Sequence, residues 1–247
     1  MVKDPSFYTV IIGTEILNGR RKDKHFEFVN KELLKRGWEQ KANFVIKDDP
    51  IFMEDIFKLV KSDPNSVMFS FGGIGATPDD YTREVAAKVF SNGIIEQNQK
   101  ALELIKNQFG KEAYPHRVNM ANLPKNALLL KNVINNVPGF GVEERFFFVP
   151  GFPEMAHPMV IEALDRFYPE NRKKYSCNFI VHSSENDILD IMKSLPLDLE
   201  FSSLPKFIGD KRIVEIYIAD FDENRVKKWC DFFKDEVNKK DLRLEDL

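Results

Sequence analysis

The sequence is poor in the residues that usually bind zinc or cross-link secreted domains. Its 247 residues include only two cysteines, Cys177 and Cys230, and four scattered histidines. No CxxC, HxH or HExxH pattern occurs, so neither a cysteine-based nor a histidine-based zinc site is expected. Two cysteines fit a reducing compartment, although they leave one disulfide open. We therefore expect a cytoplasmic protein.

Long apolar runs and an excess of one charge are also missing. No apolar run reaches membrane-spanning length, and the first residues lack a signal-peptide pattern, so no membrane partner is expected. The 36 basic and 39 acidic side chains leave a net charge of −3, which argues against a nucleic-acid surface. What the chain does have is 43% hydrophobic residues and 22 phenylalanines, enough for a sizeable core.

Strand-like and helix-like segments alternate through the larger, N-terminal part of the chain. Short β-rich apolar runs cover residues 7–13, 67–71 and 145–149, an extended pattern covers residues 38–46, and segments with helical spacing lie between these predicted strands. Alternation of this kind predicts an α/β fold with a mostly parallel sheet covered on both faces. Such sheets bind ligands at the carboxyl ends of their strands.

A polar, charged run at residues 169–175 predicts a linker between two domains. We assign residues 1–170 to the α/β domain and residues 175–247 to a small α+β domain. The second segment has the order β-α-β-β-α, which suggests an antiparallel sheet, and Ser183 or Ser184 is suited to cap its first helix.

The most informative segment is FSFGGIGATPDDYTR at residues 69–83. A strand here ends in Gly72, Gly73 and Gly75 and opens into a helix, which brings bare backbone N–H groups and a helix N-terminus to one point. That arrangement predicts a phosphate site, to which Thr77 would contribute. The alternative is a tight loop in which Asp80 caps the following helix.

Acidic residues follow the first three predicted strands and should meet at one edge of the sheet. They are Glu15, Asp48, and the pair Asp79 and Asp80, and Thr14, which we assign to substrate or phosphate binding, lies beside Glu15. Carboxylates beside a phosphate cradle predict a divalent cation, Mg²⁺ or else Mn²⁺ or Co²⁺, which would neutralise phosphate charge and lower the pKa of a bound water.

Basic residues near this edge leave two alternatives open. Arg83 could clamp a phosphate through two parallel hydrogen bonds, or it could pair with Asp79 or Asp80. The cluster of Arg20, Arg21, Lys22 and Lys24 could be a solvated face, or one or two of its members could meet an anionic ligand.

Several motifs together resemble one known family. GTEIL at residues 13–17, GGIGATPDDYTRE at residues 72–84 and VPGFPEMA at residues 149–156 resemble the molybdopterin-binding-like domain of the competence/damage-inducible protein A (CinA) family. The resemblance covers about the first 170 residues. It departs from the family pattern at Ser70-Phe71, at Ala76 and at Asp23-Lys24-His25.

The resemblance implies a three-layer α/β fold with its site at the glycine-rich loop. It also implies a chain that stops before the nicotinamide-nucleotide amidase domain of full-length members. It assigns phosphate contacts to Gly72, Gly73, Gly75 and Thr77, an acidic metal or catalytic position to Asp80 with Asp79 beside it, and a second acidic position to Asp48. A later, pocket-closing loop would contain Gly151, Pro153 and Glu154.

These observations support a main hypothesis and two alternatives. The main one is a metal-dependent pyrophosphatase of a nucleotide diphosphate, for which the resemblance implies a substrate such as ADP-ribose, with Asp80 and Asp48 catalytic and with Asp79, Asp80 and Glu15 as metal ligands. The alternatives are a molybdopterin-binding or molybdopterin adenylyltransferase-like protein and a non-catalytic nucleotide-binding module. The partner would be a nucleotide or pterin, and the resemblance implies a homo-oligomer, either dimer or trimer.

Overall fold

The computed structural model describes residues 2–169, 171, 173–209 and 211–247, without the side chains of Ile208 and Lys211. The chain divides into two compact units, Met1–Asn171 and Arg172–Leu247. The predicted linker at residues 169–175 contains residues 170 and 172, which lie outside the described part. The predicted domain boundaries stay a prediction.

The N-terminal unit is an α/β domain built on a mixed sheet. Its strands are β1 Ser6–Ile12, β2 Gln40–Ile46, β3 Ser66–Phe71, β4 Ile95–Gln97, β5 Asn122–Pro124, β6 Leu128–Leu130, β7 Gly139–Val142 and β8 Phe146–Val149. Its helices are α1 Thr14–Leu17, α2 His25–Lys35, α3 Pro50–Ser62, α4 Thr82–Phe90, α5 Gln99–Phe109 and α6 Pro153–Phe167, and 3₁₀ turns span Gly110–Ala113 and Arg117–Ala121.

The main sheet has the order β2-β1-β3-β8-β7-β6. Strands β2, β1, β3 and β8 are parallel, and β7 and β6 add an antiparallel edge. Helices α2 and α6 pack on one face, and α3, α4 and α5 pack on the other. Because both faces are covered, β3 is buried along its whole length. The predicted three-layer fold and mostly parallel sheet are confirmed.

Local sequence explains where several helices begin. The carboxylate of Asp49 accepts hydrogen bonds from Ile51 N and Phe52 N, and Pro50 occupies the first turn of α3, where its missing N–H costs nothing. Asn98 caps α5 in the same way through Ala101 N. Pro158 lies inside α6, beyond its first residues.

The C-terminal unit is an antiparallel sheet with two helices packed on it. Its elements are β9 Tyr175–Val181, α7 Glu185–Lys193, β10 Glu200–Ile208, β11 Lys211–Asp220, α8 Glu223–Lys239 and β12 Leu244–Asp246, and the sheet order is β10-β11-β9-β12. The predicted antiparallel sheet is confirmed. The structure adds β12, and Ser184 caps α7 in a capping box with Asp187.

The structure also joins the two cysteines. Cys177 on β9 and Cys230 on α8 form a disulfide inside the C-terminal core, which is the alternative that the cysteine count left open. Among the described residues, no helix is both long and apolar enough to cross a bilayer.

Candidate functional site

A cleft of about 650 Å³ opens at the carboxyl ends of the parallel strands. Its lining includes β-strand ends and the loops that follow β1, β2, β3 and β8. Most of the predicted site residues line it, namely Glu15, Asp48, Gly72, Gly73, Gly75, Thr77, Asp79, Asp80 and Gly151. Four others do not line it: Thr14, Arg83, Pro153 and Glu154.

The glycine-rich loop after β3 requires glycine for steric reasons. Gly72 and Gly73 have φ values of +99° and +66°, a region that other L-residues rarely adopt. A Cβ on Gly72 would lie 2.5 Å from Ile12 O, and one on Gly73 would lie 2.3 Å from Thr82 Oγ1. The loop therefore packs closely against β1 and against the start of α4.

The loop leaves backbone donors without partners. The N–H groups of Gly73, Ile74, Gly75 and Ala76 make no hydrogen bond to any part of the chain that the structure describes. Gly72 N, by contrast, donates to Val149 O at 3.0 Å, and Thr77 N donates to Asp80 Oδ2 at 2.7 Å. All four residues with free N–H groups line the cleft, and successive free backbone N–H groups are the kind of donors that bind anions.

Asp80 holds the loop and does not cap α4. Its Oδ2 accepts hydrogen bonds from Thr77 N and from Thr77 Oγ1 at 2.6 Å. Helix α4 is preceded by Tyr81, which makes no side-chain capping bond. A Cβ on Gly75 would lie 2.6 Å from Asp80 Oδ2, so the carboxylate position depends on glycine at 75. The capping alternative for Asp80 is therefore wrong.

The adjacent aspartates 48 and 49 have different roles. Asp49 caps α3, whereas the Asp48 carboxylate contacts the first residue of α1. Asp48 Oδ2 accepts from Thr14 N and Thr14 Oγ1, each at 2.8 Å. Through these two hydrogen bonds Thr14 orients the Asp48 carboxylate, although Thr14 itself does not line the cleft.

Arg83 supports the glycine-rich loop and, among the described residues, pairs with neither Asp79 nor Asp80. The side chain is 5% exposed, and its Nη1 donates to the carbonyl oxygens of Ile74 and Gly75. Burial lowers the pKa of the guanidinium below its ordinary value. The ion-pair alternative is therefore wrong, whereas a phosphate contact stays a prediction, and Arg83 does not line the cleft.

The second loop of the cleft is held by Arg21, from the segment before α2, and by His25, the first residue of α2. Gly151 O accepts from Arg21 Nη2 at 2.9 Å and lies 3.3 Å from His25 Nε2. Pro153 and Glu154 begin α6 immediately beyond it. Arg21 also lies over the Phe152 ring at 5.3 Å and 3.8 Å from Glu15. One member of the basic cluster therefore does reach the cleft.

Two of the departures from the family pattern touch one another. His25 stacks on Phe71, with the ring centroids 4.2 Å apart. His25 is 3% exposed, and burial lowers its pKa to about 4, so the imidazole is neutral near pH 7. The His157 ring lies 5.4 Å away, and burial lowers its pKa as well.

The charges of the cleft favour a cation together with an anion. Among its described lining residues, Glu15, Asp48, Asp79 and Asp80 supply four carboxylates, whereas Arg21 and Arg117 supply two guanidinium groups. No group of three or more His, Cys, Asp and Glu side chains in the described ranges is close enough to hold a metal ion alone. The predicted Glu15, Asp79 and Asp80 set is therefore not a ready-made metal cage.

Other lining residues were not predicted from the sequence. Phe109, Arg117 and Met120 come from the end of α5 and the 3₁₀ turns, and Asn132, Asn135 and Val137 come from the connection before β7. Polar asparagines in NVINN, residues 132–136, were the available signal. The segment around Arg117 has neither helical nor strand periodicity.

Comparisons with known proteins agree with this geometry. A family model described as "Probable molybdopterin binding domain" matches residues 8–169. A Pyrococcus furiosus protein is 30% identical, with 91% of this chain and 94% of that protein aligned. A CinA-like protein of Sulfurihydrogenibium sp. is 25% identical over 88% of this chain, which spans 56% of that relative.

A solved structure shows the same fold. The crystal structure of CinA from Thermoplasma acidophilum, a protein of unknown function, superposes with a TM-score of 0.58 at 26% identity. It covers 65% of this chain and 97% of its own. From the matched residues, the relatives and the fold, the chain belongs to the CinA family and contains its molybdopterin-binding-like domain.

Proposed function

We propose that this chain binds a phosphate-bearing nucleotide or pterin in the cleft, with a phosphate group on the glycine-rich loop. The observation that carries the proposal is the run of free N–H groups from Gly73 to Ala76 in the loop that lines the cleft. Phosphate oxygens would accept hydrogen bonds from these groups. The match to a molybdopterin-binding family supports a pterin among the candidate ligands.

A divalent cation fits this site when it is shared with the ligand. Mg²⁺ is commonly held by one or two carboxylates together with phosphate oxygens. Asp48 and Asp80 each use Oδ2 for an internal hydrogen bond, and Oδ1 of each accepts none from the described residues. We propose these two oxygens as the protein's ligands for Mg²⁺, Mn²⁺ or Co²⁺. The ion would neutralise phosphate charge and increase the acidity of a water.

Hydrolysis of a nucleotide diphosphate such as ADP-ribose is a second candidate. Its support is the placement of the Asp48 and Asp80 carboxylates in the same cleft as the phosphate loop. In that reaction the loop N–H groups would stabilise charge that develops on the phosphate oxygens. Adenylyl transfer to molybdopterin and ligand binding without turnover would use the same loop.

The test combines binding with a turnover screen. Purified protein is titrated calorimetrically with inorganic pyrophosphate, ADP-ribose, FAD, NAD and molybdopterin, each with Mg²⁺, Mn²⁺ or Co²⁺, and products are followed by chromatography. Binding without products supports a binding or transferase role, and release of nucleoside monophosphate supports the hydrolase. No binding of any of these compounds would contradict the proposal.

Asp80→Asn and Asp55→Asn form a matched pair for this test. Asp80 lines the cleft, whereas Asp55 is exposed on α3 outside it. Both substitutions remove one negative charge with nearly constant shape. We expect only Asp80→Asn to weaken metal-dependent binding or turnover. If the two variants changed metal-dependent binding or turnover equally, Asp80 would have no specific role in the site.

A cytoplasmic location and a homo-oligomeric state are also part of the proposal. Both come from the sequence-based expectations. Cell fractionation tests the location, and light scattering coupled to gel filtration tests whether the chain is a dimer or trimer.

A further inference from the structure

We propose that Arg117, seated on Phe109, together with Asn135 forms a recognition surface for a planar heterocycle, so that these residues select ring-bearing diphosphates over pyrophosphate. The inference rests on the proposed function, because it assigns a role to the part of the same cleft that the phosphate loop does not occupy. A single phosphate loop occupies only part of a space of about 650 Å³, a size within the usual range for small-molecule sites. Beyond the loop and the carboxylates, the lining combines apolar and aromatic side chains with the amides of Asn132 and Asn135 and the guanidinium groups of Arg21 and Arg117.

The first part of the surface is the Arg117–Phe109 pair. Arg117 Cζ lies 4.2 Å from the centroid of the Phe109 ring, and both residues line the cleft. Glu112 accepts a hydrogen bond from Arg117 Nη1 at 3.1 Å, which fixes the guanidinium orientation. The side chain is 41% exposed, so it remains accessible to a ligand. A planar guanidinium stacks on aromatic rings, which an ammonium group cannot do.

The second part is the amide of Asn135, whose orientation is set by its neighbours. Asn132 is 1% exposed, and its Nδ2 donates to Asn135 Oδ1 at 2.7 Å. Val137 N donates to the same oxygen at 3.2 Å. Because both of these donors bond the same atom, that atom of the Asn135 amide is the oxygen and the other is the nitrogen. Asn135 Nδ2 therefore points away from them, and its one hydrogen bond within the described residues is to Met155 Sδ at 3.8 Å.

A thioether is a weak acceptor, so Asn135 Nδ2 keeps donor capacity in the cleft. Met120, Val137 and Met155 provide apolar lining for the same space. Polarizable methionine side chains make favourable contacts with aromatic rings. A stacking cation, an amide donor and soft apolar walls together suit a flat heterocycle with a hydrogen-bond acceptor on its edge, which describes both a nucleobase and a pterin.

The experiment compares ligands with and without a ring. The probes are inorganic pyrophosphate, ADP and 6-hydroxymethylpterin diphosphate, each titrated calorimetrically with Mg²⁺ into the full chain. We expect at least one ring-bearing diphosphate to bind about tenfold tighter than pyrophosphate, since stacking of a base on a protein side chain contributes on this order. Arg117→Ala and Arg117→Lys should each remove most of that advantage by weakening the ring-bearing probes more than pyrophosphate, and Arg117→Lys, which keeps the positive charge, should have the smaller effect on pyrophosphate. Asn135→Leu should do the same for the ring whose edge it contacts.

Arg166→Lys is the matched control. Arg166 lies over the Phe167 ring at 4.8 Å, but it is outside the cleft, so all three affinities should be unchanged. Thermal unfolding of every variant checks the fold.

Two results would overturn the inference and leave the phosphate loop intact. One is wild-type protein that binds pyrophosphate as tightly as both ring-bearing probes. The other is an Arg117 variant that weakens all three probes equally, which would make Arg117 a general anion contact. Absence of binding by all three probes would instead overturn the proposed function and the inference with it.

Discussion

The C-terminal unit and the carboxyl edge of the N-terminal sheet use their polar residues differently. In the C-terminal unit several polar groups are matched to one another: Ser184 with Asp187, Lys206 with Glu215, and Arg225 with Asp198 and Asp220. In the N-terminal unit the carboxyl edge of the sheet gathers free N–H groups and an excess of carboxylates around a cleft. Unmatched hydrogen-bonding capacity, and not polarity as such, distinguishes the candidate site.

The largest expected effect concerns the stability of the C-terminal unit. The disulfide joins residues 53 positions apart, and closing a loop of that size stabilises a fold by about 4 kcal/mol in the chain-entropy model. We expect Cys177→Ala with Cys230→Ala to accelerate amide hydrogen exchange in β9 and β11. Exchange in β1 and β3 and ligand affinity should be unchanged. If the double variant also lost ligand affinity, the contrast between a disulfide-stabilised C-terminal unit and a separate cleft in the N-terminal unit would not hold.

The next effect is a pH dependence located in the N-terminal unit. Burial lowers the pKa of His25 from 6.5 to about 4. Between these values the unfolded chain binds a proton that the folded chain does not, so stability decreases as pH falls from 6.5 toward 4. The maximum loss is about 3 kcal/mol.

His25→Phe keeps an aromatic ring against Phe71 and removes this titration. Chemical denaturation between pH 7 and pH 4 should show a shallower decrease for the variant. A residual slope is expected because burial lowers the pKa of His157 as well. If the unfolding free energy of wild type and variant changed equally with pH, the inference that His25 is buried as a neutral imidazole would be contradicted.

A pair of glycine substitutions sharpens the comparison further. Gly73 and Gly209 have similar φ values, +66° and +62°, so alanine introduces similar backbone strain of about 1–2 kcal/mol at each. A Cβ at 73 would also clash with Thr82 Oγ1, whereas no atom of the part of the chain that the structure describes lies within 4 Å of one at 209. We expect Gly73→Ala to lose pyrophosphate binding in calorimetry and Gly209→Ala to keep it. Retained binding by Gly73→Ala would argue against the loop geometry.

The smallest effect tests how Asp48 is positioned. Thr14→Val removes the hydroxyl that donates to Asp48 Oδ2, a bond of about 1 kcal/mol. Affinity measured with Mg²⁺ should fall about fivefold, with little change in the absence of metal. Ser203→Ala, which removes a similar hydroxyl-to-Glu185 bond in the C-terminal unit, is the control and should change neither value. An equal change in both variants would assign the effect to stability.

Much of the fold was predictable because its signals are local. Strands β1, β3 and β8 are continuous apolar runs, and the glycines after β3 follow from the steric needs of the turn. The strands β4 to β7 and β12 were missed because three or four residues do not establish a period.

The candidate site was predictable from the sequence where its residues follow regular strands, and it was not predictable where they lie in irregular segments or depend on tertiary contacts. Adjacent aspartates look alike in sequence, and only tertiary contact separates Asp48 on Thr14 from Asp49 on its helix. Arg83 has the pattern of a phosphate ligand, yet its burial directs it to the loop carbonyls. Arg117 and Asn135 lie in irregular segments that only the folded chain brings to the cleft.

The contact between His25 and Phe71 shows the same limit. In the sequence, His25 and Phe71 are two separate departures from the family pattern, and nothing there indicates that their side chains are in contact. In the structure they stack, and His25 also approaches the carbonyl of Gly151. A change in one of these residues therefore alters the support of the other and of the second loop of the cleft.

The central claim is that backbone N–H groups of the glycine-rich loop bind phosphate. The most direct measurement is a titration of ¹⁵N-labelled protein with inorganic pyrophosphate and Mg²⁺, followed by amide chemical shifts. We predict saturable shifts of the Gly73, Ile74, Gly75 and Ala76 amides, while the amides of β9 and β11 stay in place. Saturable binding that leaves these four amides unchanged would contradict the account.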